Sequence, residues 1–278
     1  MSYLSAIILG LVQGVAEFLP ISSSGHLSIF QHFFGLTTAE SSNLFFDVLL
    51  HLGTLIAVFI AYRHEIGELI VGFFTLFSRK EQTVSNARNY FPARRMILLI
   101  IVATLPLFLI LPIKDQIEGL YDNTFFIGGA LIVTGLLLYF SDRAARGYKN
   151  ERSATLLDAV LVGVAQALAT VPGLSRSGTT ISAGLARRFD RPFAVRFSFI
   201  MSIPAVLGAN ILSLVDAVQE GIDWSLMPMY LVGVIVAAVS GYLCICLLKY
   251  IASRGKFGGF AYYCWAVGVF TLIMSLVR

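Results

Sequence analysis

LGLVQGVAEFLPISSSGH, residues 9–26, is the stretch on which the fold turns. An apolar run carries Gln13 and Glu17 in its second half and reaches Pro20. Where a membrane helix would normally end in a charged loop, this one breaks into Ser22-Ser23-Ser24-Gly25 and resumes as a short second helix. Residues 162–179 read VGVAQALATVPGLSRSGT, and a shift of 153 lays the two stretches together without a gap. Gln166 then falls on Gln13, and Ser175-Arg176-Ser177-Gly178 falls on Ser22-Ser23-Ser24-Gly25. Chance likeness of two apolar helices does not explain the shared Gln and Ser-x-Ser-Gly. An unwound break at membrane depth is tolerated only where protein or a water-filled cavity surrounds it, so both stretches read as re-entrant hairpins, over 3–35 and 155–187.

The rest of the chain agrees with a membrane setting. Of 278 residues 57% are hydrophobic and 13% charged, far from the balance of a soluble domain, which excludes an ordinary cytosolic fold and a disordered chain. Long unbroken apolar runs such as 125–140 and 227–248 do not alternate as the strands of a membrane barrel would. The net charge of +4 is spread over loops, which argues against a nucleic-acid partner. Apolar runs predict full crossings at about 44–62, 95–113, 124–140, 193–215, 227–249 and 257–277. Residues 66–77 are too short to cross and predict an interfacial helix.

Arg63, Arg79, Lys80, Arg88, Arg94 and Arg95 fall on one side with Arg143, Arg146, Lys149 and Arg152. Arg187, Arg188, Arg191, Arg196, Lys249, Arg254 and Lys256 join them, which makes that side cytoplasmic and turns both termini outward. The opposite loops hold Asp115, Glu118, Asp122, Asp216, Glu220 and Asp223, with Lys114 the lone base. The expectation is therefore an all-α polytopic membrane protein of two inverted-topology repeats, 1–153 and 154–278. Each holds one hairpin and three crossings, and the odd number of crossings inverts the second copy. Such repeats place a site near the midplane, where half-helix ends meet, and helix N-termini offer free amides to an anion there. Cys244, Cys246 and Cys264 lie in apolar runs and read as packing residues. No cleavable signal peptide stands out.

The copies differ where chemistry is expected. Glu17 faces Thr170, Ser23 faces Arg176, and His26 faces Thr179. One half keeps an acid, a hydroxyl and an imidazole; the other keeps a guanidinium among hydroxyls. A charge at bilayer depth costs about 2.5–3.5 kcal/mol on insertion scales, so each is a functional candidate. A structural Glu17–Arg176 ion pair is the plainer alternative, and it leaves His26 and the serine-rich turns unexplained. Gln13 and Glu17, four apart, share a helix face, and with Ser22-Ser-Ser-Gly-His26 they suit a hard cation or a water. Ser175, Arg176, Ser177, Gly178, Thr179 and Thr180 read as an anion cradle, in which glycine lets backbone approach and arginine offers a planar fork. Asp47 and His51, also four apart, either support the site from behind or are merely solvated; their counterparts Ile200 and Pro204 are apolar. His32 and His64 read as interfacial.

These motifs, Gln13-Gly-Val-Ala-Glu17-Phe-Leu-Pro-Ile-Ser22-Ser-Ser-Gly-His26 and Pro172-Gly-Leu-Ser-Arg176-Ser-Gly-Thr-Thr180, closely resemble those of the undecaprenyl-diphosphatase family of bacitracin-resistance membrane phosphatases. The likeness runs along essentially the whole chain, including residues 45–54 and 197–204. The family's first motif carries Glu or Gln, three residues, then Glu; the Gln form here leaves Glu17 as the only acid at that spot. The resemblance implies hydrolysis of undecaprenyl diphosphate to the monophosphate in the bacterial cytoplasmic (inner) membrane, with a periplasm-facing site, a divalent cation (Mg2+ or Ca2+) and a homodimer. It implies that Arg176, with Ser175, Ser177 and Thr180, holds the diphosphate, joined by Ser22, Ser24, Gly25, Gly178 and Thr179. Glu17, with Gln13, would bind the metal or orient water, and His26 would act as general acid/base. The nucleophile stays open between Ser23 activated by His26, His26 itself and water, with Ser23 favoured as a participant.

A lipid transporter is the rival, since it would share the architecture and the anion site but would need no acid/base pair. The type-2 phosphatidic-acid phosphatases share a Ser-Gly-His and a Ser-Arg element, but here no histidine follows His64.

Overall fold

The computed structural model describes residues 1–34, 40–77, 84–144, 146–254 and 257–277. Arg79, Lys80 and Lys256, used above for orientation, lie outside the described residues, as does position 35 at the end of the first hairpin. Among the described residues the chain is helical, with one isolated bridge joining Lys149 and Phe189.

Among the described residues six helical segments are long and apolar enough to cross a membrane: Leu44–Ala61, Phe91–Glu118, Thr124–Asp142, Arg191–Gln219, Trp224–Arg254 and Gly258–Val277. They fall on the six expected crossings. Two shorter apolar helices, α1 (Tyr3–Phe18) and α8 (Leu156–Leu168), each lead through a break into a second short helix, α2 (Ser23–Phe34) and α9 (Arg176–Ala186). The remaining helices are α3 (Glu40–Ala61), α4 (Arg63–Phe77), α5 (Val84–Thr104), α6 (Lys114–Glu118), α7 (Thr124–Asp142), α10 (Arg191–Glu220), α11 (Met227–Arg254) and α12 (Gly258–Val277). The short helix expected at 66–77 is α4, which packs on α5. The second crossing does not stay α-helical. Pro106 and Pro112 each remove an N–H donor, and the chain tightens into 3-10 turns over Leu105–Leu109 and Leu111–Ile113.

Positions 153 apart share local structure. Ser2 Oγ accepts from the Ser5 amide at the start of α1, and Thr155 Oγ1 accepts from the Asp158 amide at the start of α8. α1 lies along α11, and α8 lies against α5. Both crossings are backbone-close at matched glycines: a Cβ on Gly10 would stand 2.5 Å from the Gly233 carbonyl oxygen, and one on Gly163 would stand 2.3 Å from that of Ala103. Only glycine admits that approach.

At the end of the bundle where α7 finishes and α10 begins, the bases are tied into the fold. Asp158, fully buried, accepts from Lys149 Nζ at 2.8 Å and Arg187 Nε at 2.7 Å, and Arg191 meets Asp142 at 2.9 Å. At the other end Lys114 pairs with Asp216 at 2.9 Å, joining the start of α6 to the last part of α10.

Candidate active site

The two breaks meet inside the bundle. Ser22 Oγ caps α2 by accepting from the Gly25 amide at 3.2 Å, and Ser175 Oγ caps α9 by accepting from the Gly178 amide at 3.1 Å. The turns pack reciprocally: a Cβ on Gly25 would meet Gly173 Cα at 3.1 Å, and one on Gly178 would meet Pro20 Cβ at 3.3 Å. Gly173 and Pro20 are themselves 153 apart. The backbones nonetheless differ, with the left-handed residue at Ser22 (φ 74°) in one turn and at Gly173 (φ 86°) in the other. Thr134 on α7 holds the second turn, accepting from the Ser175 amide at 3.1 Å and donating to the Gly173 carbonyl at 3.3 Å.

Beside the turns lies a cavity of about 630 Å³. Its polar wall includes Glu17, Ser23, Ser24, Ser175 and Arg176, together with Asp47 and His51 on α3. Its apolar wall includes Leu107, Phe108 and Leu111 of the 3-10 segment and Leu212 of α10. Three of these are exposed, Phe108 at 62% among them.

Glu17 is the hub. It is 7% exposed, and its carboxylate accepts from Arg176 Nη2 on Oε1 and from Ser23 Oγ (2.7 Å) and Gln13 Nε2 (3.1 Å) on Oε2. An unpaired carboxylate so deep would be expensive; three donors, one of them a guanidinium, offset that cost. The Glu17–Arg176 ion pair is thus real, and it stands on the cavity wall. Arg176 carries five donors in a planar fork, of which the Glu17 bond uses one.

The predicted site residues divide. Glu17, Ser23, Ser24, Asp47, His51, Ser175 and Arg176 line the cavity, whereas Gln13, Ser22, Gly25, Ser177, Gly178, Thr179 and Thr180 stand behind it. Gln13 fixes Glu17. Ser177 Oγ donates to the Leu19 carbonyl at 3.4 Å, tying one turn to the other, and Thr180 Oγ1 shares a bond of 2.6 Å with Ser198.

His26 does not line the cavity. Its Nδ1 lies 2.7 Å from the Ser22 carbonyl, which can only accept, so Nδ1 carries the proton. Nε2 is left to accept from the Tyr263 hydroxyl at 2.9 Å, with the two rings stacked 5.6 Å apart. The hydroxyl of Ser23 therefore finds Glu17, not His26. His51 has the same tautomer for the same reason, with Nδ1 2.8 Å from the Asp47 carbonyl, and it sits on the cavity wall.

For a cation the donor set is thin. Glu17 is engaged by three donors, and no group of three His, Cys, Asp or Glu residues able to hold a metal occurs among the described residues. Only Gln13 Oε1 among the two expected ligands lacks a partner. These residues do not form a site for Mg2+ or Ca2+ by themselves.

Sequence reasoning missed Thr134 and Tyr263, which nothing in local spacing marks. It also gave no role to Gln166, although the repeat places that residue on Gln13.

The chain matches the family described as bacitracin resistance protein BacA over residues 6–270. It is 43% identical to a protein of Carboxydothermus hydrogenoformans named undecaprenyl-diphosphatase, over 99% of this chain and 98% of that one. It is 40% identical to proteins of that name from Alkaliphilus metalliredigens, over the full length of both, and Methanosphaera stadtmanae, over 99% of this chain and 98% of that one.

Proposed function

The chain belongs to the bacitracin resistance protein BacA family, and we propose that it is a multi-pass membrane phosphatase hydrolysing undecaprenyl diphosphate to undecaprenyl phosphate and inorganic phosphate. The observation that carries the chemistry is the Ser23–Glu17–Arg176 unit on the cavity wall. The Ser23 oxygen attacks the terminal phosphorus and its proton passes to Glu17 Oε2. The bond to the bridging oxygen breaks, and its electron pair leaves with undecaprenyl phosphate. Water then cleaves the phosphoserine, so that the serine is restored and phosphate departs. Arg176 neutralises charge on the transferring group, the largest contribution a protein makes to phosphoryl transfer. His51 Nε2, left unprotonated by the Nδ1–H bond to Asp47, takes a proton from the water that cleaves the phosphoserine, while Glu17 returns its proton to the Ser23 oxygen. His26 positions the first turn through Ser22.

A cation enters this account only as a counter-ion carried by the diphosphate, and no step runs through it. A transporter would need Arg176 but not a hydroxyl set on a carboxylate; the Ser23–Glu17 bond favours hydrolysis.

The same reading covers the architecture. Matched caps, matched glycine crossings and reciprocal turn packing support two repeats, 1–153 and 154–278, the second inverted, with the hairpins entering from opposite faces. The tied-down bases then face the cytoplasm, and the cavity opens toward the periplasmic side of the inner membrane. A cavity of this size holds a head group; the prenyl chain leaves past Leu107, Phe108 and Leu212 into lipid.

The test is phosphate release from undecaprenyl diphosphate by the purified protein in detergent, beside Glu17→Ala and Arg176→Ala. Release by the native chain and near-loss in both variants supports the reading; a folded native chain that binds the lipid and releases nothing overturns it.

A further inference from the structure

Gln166 is a buried polar side chain with nothing to bond. It is 1% exposed, it stands on the cavity wall, and both its Nε2 and its Oε1 lack a partner. The repeat shows how this arises. In the first copy Gln13 gives its Nε2 to Glu17 four residues on. In the second copy the residue four on is Thr170, whose hydroxyl is spent on the Ala167 carbonyl at 2.8 Å. Gln166 keeps the position and loses the partner. A buried amide left unpaired costs folding free energy, and such groups in a native protein call for a ligand or a water. A second carboxamide repeats the pattern on the same wall: Asn210 of α10, 8% exposed, has an Nδ2 without a partner.

We propose that Gln166, with Asn210, is the binding site for the lipid-linked phosphate of the substrate. This rests on the diphosphatase reading above. The terminal phosphate must lie at Ser23 and Arg176, where it is attacked. The other phosphate carries the prenyl ester, so it must lie between that point and the apolar wall through which the chain leaves. α8, which carries Gln166, packs on the 3-10 segment of that wall, and Asn210 lies two residues before Leu212. Neutral amide donors suit this phosphate. They hold its oxygens by direction without the charge that would bind the released monophosphate too firmly to let it go.

The variant Gln166→Leu deletes the amide and leaves an apolar side chain of similar bulk. In purified protein the expected result is a rise of about tenfold in KM for undecaprenyl diphosphate with kcat changed far less, the loss of one hydrogen bond to a charged group. The inhibition constant of undecaprenyl monophosphate rises by the same factor. That of inorganic phosphate, which occupies only the terminal position, stays unchanged. Gln166→Glu, which sets a carboxylate against the phosphate, weakens monophosphate binding further. An unchanged monophosphate constant in Gln166→Leu overturns the assignment, as does a phosphate constant that rises equally. Direct binding of the monophosphate lipid to native and variant protein, which needs no turnover, separates the two claims. If the native chain releases no phosphate yet binds that lipid through Gln166, the diphosphatase reading fails and this one stands.

Discussion

The Ser23 hydroxyl donates to Glu17 Oε2 at 2.7 Å, and the other oxygen of that carboxylate takes Arg176 at the start of α9. One side chain therefore holds the Ser23 hydroxyl, the proposed nucleophile, and ties it to Arg176. A hydroxyl held by a carboxylate has a base for its proton without any histidine. In the proposed mechanism a single acid then suffices, with Gln13 supplying a donor to it.

Glu17→Gln removes the base and keeps the shape. The expected fall in kcat is about 10²–10⁴-fold, the usual range for losing a general base. Brief exposure to substrate labelled in its terminal phosphate, followed by acid, leaves label on Ser23 of the native chain and none on Ser23→Ala.

The two histidines separate by their second nitrogen. His51→Asn keeps a donor near the Nδ1 position for the Asp47 carbonyl and loses the Nε2 that faces the cavity, so kcat falls about 10²-fold with stability little changed. His26→Phe keeps the stack on Tyr263 but gives up the Ser22 bond. It lowers the melting temperature and leaves the pH dependence of kcat as in the native chain. A pH–rate profile with a limb lost in His26→Phe and retained in His51→Asn would reverse the assignment.

Gly163→Ala places a methyl group 2.3 Å from a backbone oxygen that no rotamer change can move. α8 must shift off α5, at about 1–3 kcal/mol. Gly129→Ala, where nothing lies within 4 Å, serves as control. The readout is the thermal midpoint in detergent.

Asp158 makes part of the stability depend on acid. Burial alone would raise its carboxyl, but the Lys149 ammonium, the Thr155 amide and hydroxyl and the Arg187 guanidinium outweigh that and hold it at about 2. Its folded value is below the unfolded value of about 3.9, so the stabilisation is complete above pH 4 or so and fades as pH falls toward 2. Asp158→Asn is expected to cost roughly 2–3 kcal/mol at neutral pH, and the gap from the native chain should narrow between pH 4 and 2.

Much of this was open to reading from the residues alone, and the losses are instructive. The crossing expected at 193–215 is Arg191–Gln219, and that at 227–249 is Trp224–Arg254, because an unbroken apolar run of that length has one way to satisfy its backbone in lipid. The run at 95–113 was harder. Its prolines turn the second half into 3-10 segments that become a cavity wall. The repeat gave the hub, since Glu17 and Arg176 stand where the copies differ. It could not give the direction of His26. Ser23 and His26, three apart at a helix start, look like partners; the ring instead turns to Tyr263, 237 residues on in sequence, a contact no local spacing encodes. Gln166 was in plain view as the mate of Gln13, and only the structure reveals that it has no Glu17 of its own.

The central claim is that Ser23 and Glu17 act as one nucleophilic unit, and a double-mutant cycle on phosphate release from undecaprenyl diphosphate tests it most directly. Rates are compared for the native chain, Ser23→Ala, Glu17→Gln and the double variant, all checked for folding. The account predicts that the double variant is no slower than either single one, since each alone disables the unit. Losses that multiply would show two independent roles and contradict it.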